Sequence, residues 1–236
     1  MSKVLRYGFF IISLAFLFSS VSITEAKAQN VLGEILRRMD INNKSLQSIR
    51  ADMTMVKFNP QLNVSDVLAG TTSYLPKTPK RGMYVRIDWR TENGRPMEES
   101  ISLIGDDYEM YRKRVNQVIT GKVGKAKNNA SVGNALVFMN MSKDQLKQNY
   151  TIQFVAEERI KGGTPTAHLL LTPKTATSYK TAEIWVDADG MPRQAKVTEM
   201  NNDSSTFLFE NIKKNDTLNA SIFKLQYPSN AKKIKA

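Results

Sequence analysis

The chain has 236 residues, with 34 Lys and Arg against 22 Asp and Glu for a formal charge of +12, one His and no Cys. That length is enough for a real core, as one large β domain or two small ones. Without cysteine there is no disulfide framework, thiolate metal site or cysteine nucleophile, and His168 alone makes neither a His-cluster metal site nor a promising start for a triad.

Residues 1–28 place Lys3 and Arg6 ahead of an apolar run from Gly8 to Phe18 and end on Ala26-Lys27-Ala28. That order predicts a secretory signal peptide cleaved after Ala28. The run is about 11 residues long, against the roughly 20 that a spanning helix needs. No Cys follows it to carry a lipid. A soluble exported chain is expected, with a single domain over residues 29–236. The sequence holds eight Asn-x-Ser/Thr sequons. In a protein without disulfides a bacterial periplasm is the natural destination, where these sequons carry no sugar.

From Val31 to Lys44, Val31, Leu32, Ile35, Leu36 and Met39 fall on one helical face, with Asn30 placed to cap the start. After Leu46 the period changes to two. Ile49, Ala51, Met53 and Met55 alternate with polar residues, which predicts a strand with one buried face. Further strands are expected at 67–75, 83–89, 100–104, 108–111 and 116–120. Gly121 to Asn129 is basic and turn-rich, and 131–141 reads as an irregular helix or flap. Ser142 with Gln145 makes a capping box for a short helix over 143–148. The strand pattern returns at 150–156, 167–172, 182–187, 194–200 and 206–212. Short turns between successive strands make neighbours antiparallel. About eleven strands fit one strongly twisted sheet curled towards a barrel, a mainly β fold of the α+β kind.

Catalytic motifs are missing. Gly121-Lys122-Val123-Gly124-Lys125 has the residues of a phosphate loop without its spacing, and there is no nucleophile elbow or zinc-protease motif. Glu98-Glu99 and Asp106-Asp107 are adjacent pairs, and neighbours on a strand point to opposite faces. A hydrolase would have to work from acids such as Asp106, Asp107 or Glu183. We expect no enzyme activity, no cofactor and no metal. The basic excess is dispersed, and export disfavours nucleic acid. Ten methionines remain after residue 28, a soft apolar surplus suited to irregular volumes; Met139 and Met141 are the ones expected in a flap over a cavity.

The succession "LQSIRADMTM", "YLPKTPKRGMYVRIDW", "LIGDDYEMYRKRVNQV", "AEIWVDADGMPRQAKVTE" and "FENIKKNDTLNASIF" resembles the periplasmic outer-membrane lipoprotein carriers, the Lol-type family, from about Asn30 to Pro228. The resemblance implies an unclosed, strongly curved antiparallel half-barrel whose helices cover an apolar cavity for acyl chains. It also implies a shuttle between an inner-membrane transporter and an outer-membrane acceptor. Strand alternation and the resemblance together nominate Met53, Met55, Tyr84, Trp89, Leu103, Met110, Val137, Phe138, Met139 and Trp185 for the cavity. Lys80 and Arg81 are nominated for its rim, by likeness to the family's basic residue before the strand that ends in Trp. The family's Arg-Pro pair is replaced here by Pro76 and Pro79 ahead of the basic residues. A monomer is expected. The rival reading is a lipid-sensing interaction module of the same fold that signals to a membrane partner.

Overall fold

The computed structural model of the chain describes residues 21–122 and 141–235, with side chains from Gln29 onward. Helix α1 spans Val21–Ser45. It does not start at Asn30 as the capping signal predicts but runs back through it. Ala26, Lys27, Ala28 and Gln29 are good helix formers with no breaker among them. Among the described residues twelve strands follow: β1 (Ile49–Asn59), β2 (Val64–Leu75), β3 (Tyr84–Glu92), β4 (Arg95–Ile104), β5 (Asp107–Arg112), β6 (Gln117–Lys122), β7 (Tyr150–Arg159), β8 (Pro165–Pro173), β9 (Tyr179–Val186), β10 (Pro192–Glu199), β11 (Ser204–Lys214) and β12 (Lys232–Lys235). Helix α2 (Lys143–Asn149) precedes β7, and its capping box forms as expected: Ser142 Oγ accepts from Gln145 N while Gln145 Oε1 accepts from Ser142 N.

All the strands belong to one sheet, in the order β12-β6-β5-β4-β3-β2-β1-β11-β10-β9-β8-β7. Successive hairpins pair antiparallel, and β1 joins β11 across the chain, Met53 opposite Phe209 and Met55 opposite Phe207. The sheet is curved and unclosed, with β7 and β12 as its edges. Register shifts interrupt β1, the β2–β3 and β3–β4 pairs, β7 and β10. Each bulge adds local twist and bend. At Gly70 the approach is close enough that a Cβ would lie 2.1 Å from the Asp88 carbonyl oxygen. The twelfth strand is absent from the sequence expectation. Lys232–Lys235 has the composition of a solvated tail, yet it pairs parallel with the β6 edge, Lys232 opposite Gln117 and Ile234 opposite Ile119.

Helix α1 lies over the inner face at the β7–β11 end. Ile35, Leu36 and Met39 are buried in the main apolar cluster. Arg38 Nη1 donates to the Ala188 carbonyl at 3.0 Å, and Lys214 Nζ donates to Asn42 Oδ1 at 3.3 Å. The motif "WVDADGMPRQ" makes this joint. Asp187 Oδ1 accepts from Asp189 N and Met191 N, which folds the turn. Gly190, at φ +82°, then touches the α1 backbone at Arg38. Asn215, also left-handed at φ +65°, accepts from Gln47 N and donates to the Ser45 carbonyl, fixing the exit from α1 into β1.

The outer face of β3–β6 is covered by the segment after β11. Phe223 is fully buried there, edge-on to Tyr84. Ser102 Oγ donates to the Phe223 carbonyl and Arg86 Nη1 to the Ile222 carbonyl.

Candidate functional site: the inner wall of the sheet

Register fixes which side chains meet on the inner face. One row runs Ile49, Tyr74, Val85, Leu103, Tyr108 across β1 to β5. The next runs Ala51, Thr72, Ile87, Ile101, Met110, Ile119. Beyond these lie Met53 beside Gly70 and Phe209, Trp89 opposite Gly70, and Met55 beside Leu68 and Phe207. Each strand contributes alternate residues, so one continuous apolar wall results.

Five of the nominated cavity residues, Met53, Met55, Trp89, Leu103 and Met110, stand on this wall, each at most 3% exposed. Val137, Phe138 and Met139 lie outside the described residues. Met141 is half-buried and packs against the same cluster. Tyr84 and Trp185 are on the other face. On β3, Val85, Ile87 and Trp89 point inward, so Tyr84, an odd number of residues away, points out. On β9, Ala182, Ile184 and Val186 point inward, and Trp185 turns outward to Ile160 and Leu208. Large aromatic size marks a burial site but not its face. The sequence reading passed over Tyr74, Ile87, Ile101, Tyr108, Phe207 and Phe209, although the same alternation would have found them once one inward residue per strand was known.

Arg81 folds back on its own loop. It bridges Thr78 through backbone hydrogen bonds, donates from Nη2 to the Pro76 carbonyl at 3.1 Å, and sits 5.5 Å from the Tyr84 ring centroid. Lys80 beside it is exposed.

The polar groups singled out in the sequence are engaged on the outside. His168 stacks on Trp185, with Nδ1 2.9 Å from Glu158 and Nε2 2.9 Å from Glu183. Glu183 also accepts from Lys196. Glu98, Glu99 and Asp107 pair with Lys113, Arg112 and Lys122. Among the described residues no group of three or more His, Asp or Glu is placed to hold a metal ion. An open groove of about 560 Å³ lies at the outer face, lined by Ser102, Ile104, Asp107, Glu109, Thr120 and Lys122 among others.

Two phenols on the inner side are displaced from ordinary behaviour. Burial pushes the Tyr74 hydroxyl well above the usual tyrosine range. Burial, and then the hydrogen bond with Tyr150, does the same to Tyr179. Both stay neutral across physiological pH.

An unclosed curved sheet with an apolar inner face, one end overlaid by an amphipathic helix, defines the class of open half-barrels. The family model of the outer membrane lipoprotein carrier protein LolA matches residues 86–226, more than half of the chain. The chain belongs to that family. No curated protein sequence matches it. Among solved structures, a conserved protein of Thermus thermophilus shares 12% identity at a TM-score of 0.52, over 87% of this chain and 99% of that one. MucB shares 13% at a TM-score of 0.50, over 85% of this chain and 63% of MucB. An outer membrane lipoprotein-sorting protein domain from Vibrio parahaemolyticus shares 13% at 0.43, over 80% and 94%. At such identities the first two bear on fold alone.

Proposed function

We propose that this chain is a periplasmic carrier that holds the acyl chains of a lipoprotein, or of a related lipid, against the inner wall of its sheet and moves them from the inner towards the outer membrane. The observation that carries this reading is the wall itself, built from Met53, Ile87, Trp89, Leu103 and Met110 in a chain of the lipoprotein-carrier family. An acyl chain pulled from a bilayer into water loses about 0.8 kcal/mol per CH₂, so one long chain alone costs on the order of 10 kcal/mol. A carrier must replace that apolar contact, and a bent sheet with one apolar face does so without polar backbone reaching the ligand. The ligand must also leave again. Methionines suit that requirement, because a flexible thioether repacks at little cost around different occupants.

The test is extraction. The purified chain is incubated with spheroplasts holding a radiolabelled lipoprotein, and then with outer-membrane vesicles. Soluble complex followed by transfer is the expected result. No soluble lipoprotein would overturn the reading. Capture of lipid without transfer, together with binding of a membrane partner only when lipid is present, would favour the sensing module.

A further inference from the structure

Among the described residues, one buried hydroxyl has no hydrogen-bond partner: that of Tyr74 on the inner wall. Tyr74 is 0% exposed. Several other buried hydroxyls of the sheet are engaged. Thr72, two residues back on the same face, donates to the Arg86 carbonyl at 3.1 Å. Thr166 donates to the Glu158 carbonyl, Ser102 to the Phe223 carbonyl, and Tyr150 and Tyr179 bond to each other. A phenol sealed among Ile49, Val85 and the rest of its row gains nothing from its O–H in the closed protein. Phenylalanine would pack as well without the cost of an unpaired polar group.

We infer that the Tyr74 hydroxyl is a ligand-recognition group, donating its hydrogen bond to a neutral carbonyl, ester or amide, at the junction between an acyl chain and its headgroup. This rests on the carrier reading and says where on the wall the polar end of the ligand sits. A hydrocarbon tail offers no acceptor. The carboxylate of a free fatty acid beside Tyr74 would sit among Ile49, Val85 and Leu103, while the row's cation, Lys214 opposite Ile49, is two strands away and engaged by Asn42 Oδ1. An ester or amide carbonyl needs only a donor. Burial keeps the phenol protonated, so the donor is present at any physiological pH. The tails then run from the Tyr74 row over Ile87, Ile101 and Met110 towards Met53 and Trp89.

The experiment compares the wild-type chain with Tyr74→Phe. Two probes are used, a diacylated cysteine lipopeptide and a diacyl phosphatidylglycerol, each beside a dialkyl ether twin that lacks the carbonyls. The wild type is expected to bind at least one ester probe about tenfold more tightly than its twin, equivalent to about 1.4 kcal/mol. Tyr74→Phe is expected to bind both at the twin's level. A loss confined to the lipopeptide pair assigns the carbonyl to a protein anchor, and one confined to the phosphatidylglycerol pair assigns it to a membrane lipid; either supports the inference. An ester preference that survives in Tyr74→Phe, or a wild type with no preference, overturns it while the carrier reading stands. A wild type that binds none of the four probes overturns both. The ligand-free variant is expected to unfold at the same temperature as the wild type or higher. A clearly lower midpoint would mean that the hydroxyl is paired in the closed protein, and would also overturn the inference.

Discussion

At single positions the tightest constraints are steric. Gly190 combines a left-handed φ of +82° with a virtual Cβ 2.3 Å from the Arg38 carbonyl carbon and oxygen. Strain and collision add, because the obstacle is helix backbone and cannot swing away. Gly190→Ala is expected to lower stability by about 2–3 kcal/mol in urea unfolding. An effect under ~0.5 kcal/mol would show that α1 is not seated on that turn. Residue type alone marks Asp189-Gly190 as a turn. That the turn also carries a helix more than a hundred residues distant in the chain is a tertiary fact with no local trace. Tyr74 was missed for a related reason. In the run Thr71-Thr72-Ser73-Tyr74 a buried hydroxyl and a half-buried one look alike.

At the level of elements, α1 and α2 are tied by Asp40, which accepts from Lys44 Nζ at 2.6 Å and, at 3.5 Å, from the backbone N–H of Lys143 at the start of α2. The Lys44 hydrogen bond is the main cause holding the Asp40 carboxyl below its usual value. A depressed acid contributes stability above the unfolded-state titration near pH 4 and loses it as pH falls. With Lys44 largely exposed, screening keeps the effect small. Asp40→Asn is expected to cost ~0.5 kcal/mol at pH 7, with the gap from wild type closing as pH falls through and below the unfolded-state titration in thermal unfolding. The segment after β11 presents a larger effect. Phe223 is fully buried against the outer face, and its carbonyl and that of Ile222 are held by Ser102 and Arg86. Phe223→Ala is expected to cost ~3–5 kcal/mol. In hydrogen exchange it should speed β12 and β6 far more than β1 and β11. Uniform acceleration would count against an independent clamp. The strands themselves were legible, since period-two burial repeats along β1, β3 and β8. The exception was β12, whose four exposed residues carry no pattern.

For the molecule as a whole, the two tryptophans are reporters on opposite faces: Trp89 inside beside Met53's row, Trp185 outside against His168. If ligand occupies the inner wall, binding an acylated lipopeptide should shift the fluorescence of Trp185→Phe, which keeps Trp89. It should leave Trp89→Phe nearly silent. The reverse pattern would place the ligand outside. From sequence alone, the alternation of apolar residues determined a mainly β chain and the apolar character of the site, the short turns gave antiparallel neighbours, and the Ser142–Gln145 pair gave the short capped helix, because all of these depend on residues close in the chain. The family resemblance was carried likewise by local runs such as "WVDADGMPRQ", whose Asp187 folds its own turn. The tertiary structure alone decided the β1–β11 pairing, the seat of α1, the strand added at the β6 edge, and the inward or outward sense of Tyr84, Trp185 and Tyr74. The reason is physical. A strand's period states that two faces differ, but which face is buried is set by the partners that arrive from elsewhere in the chain.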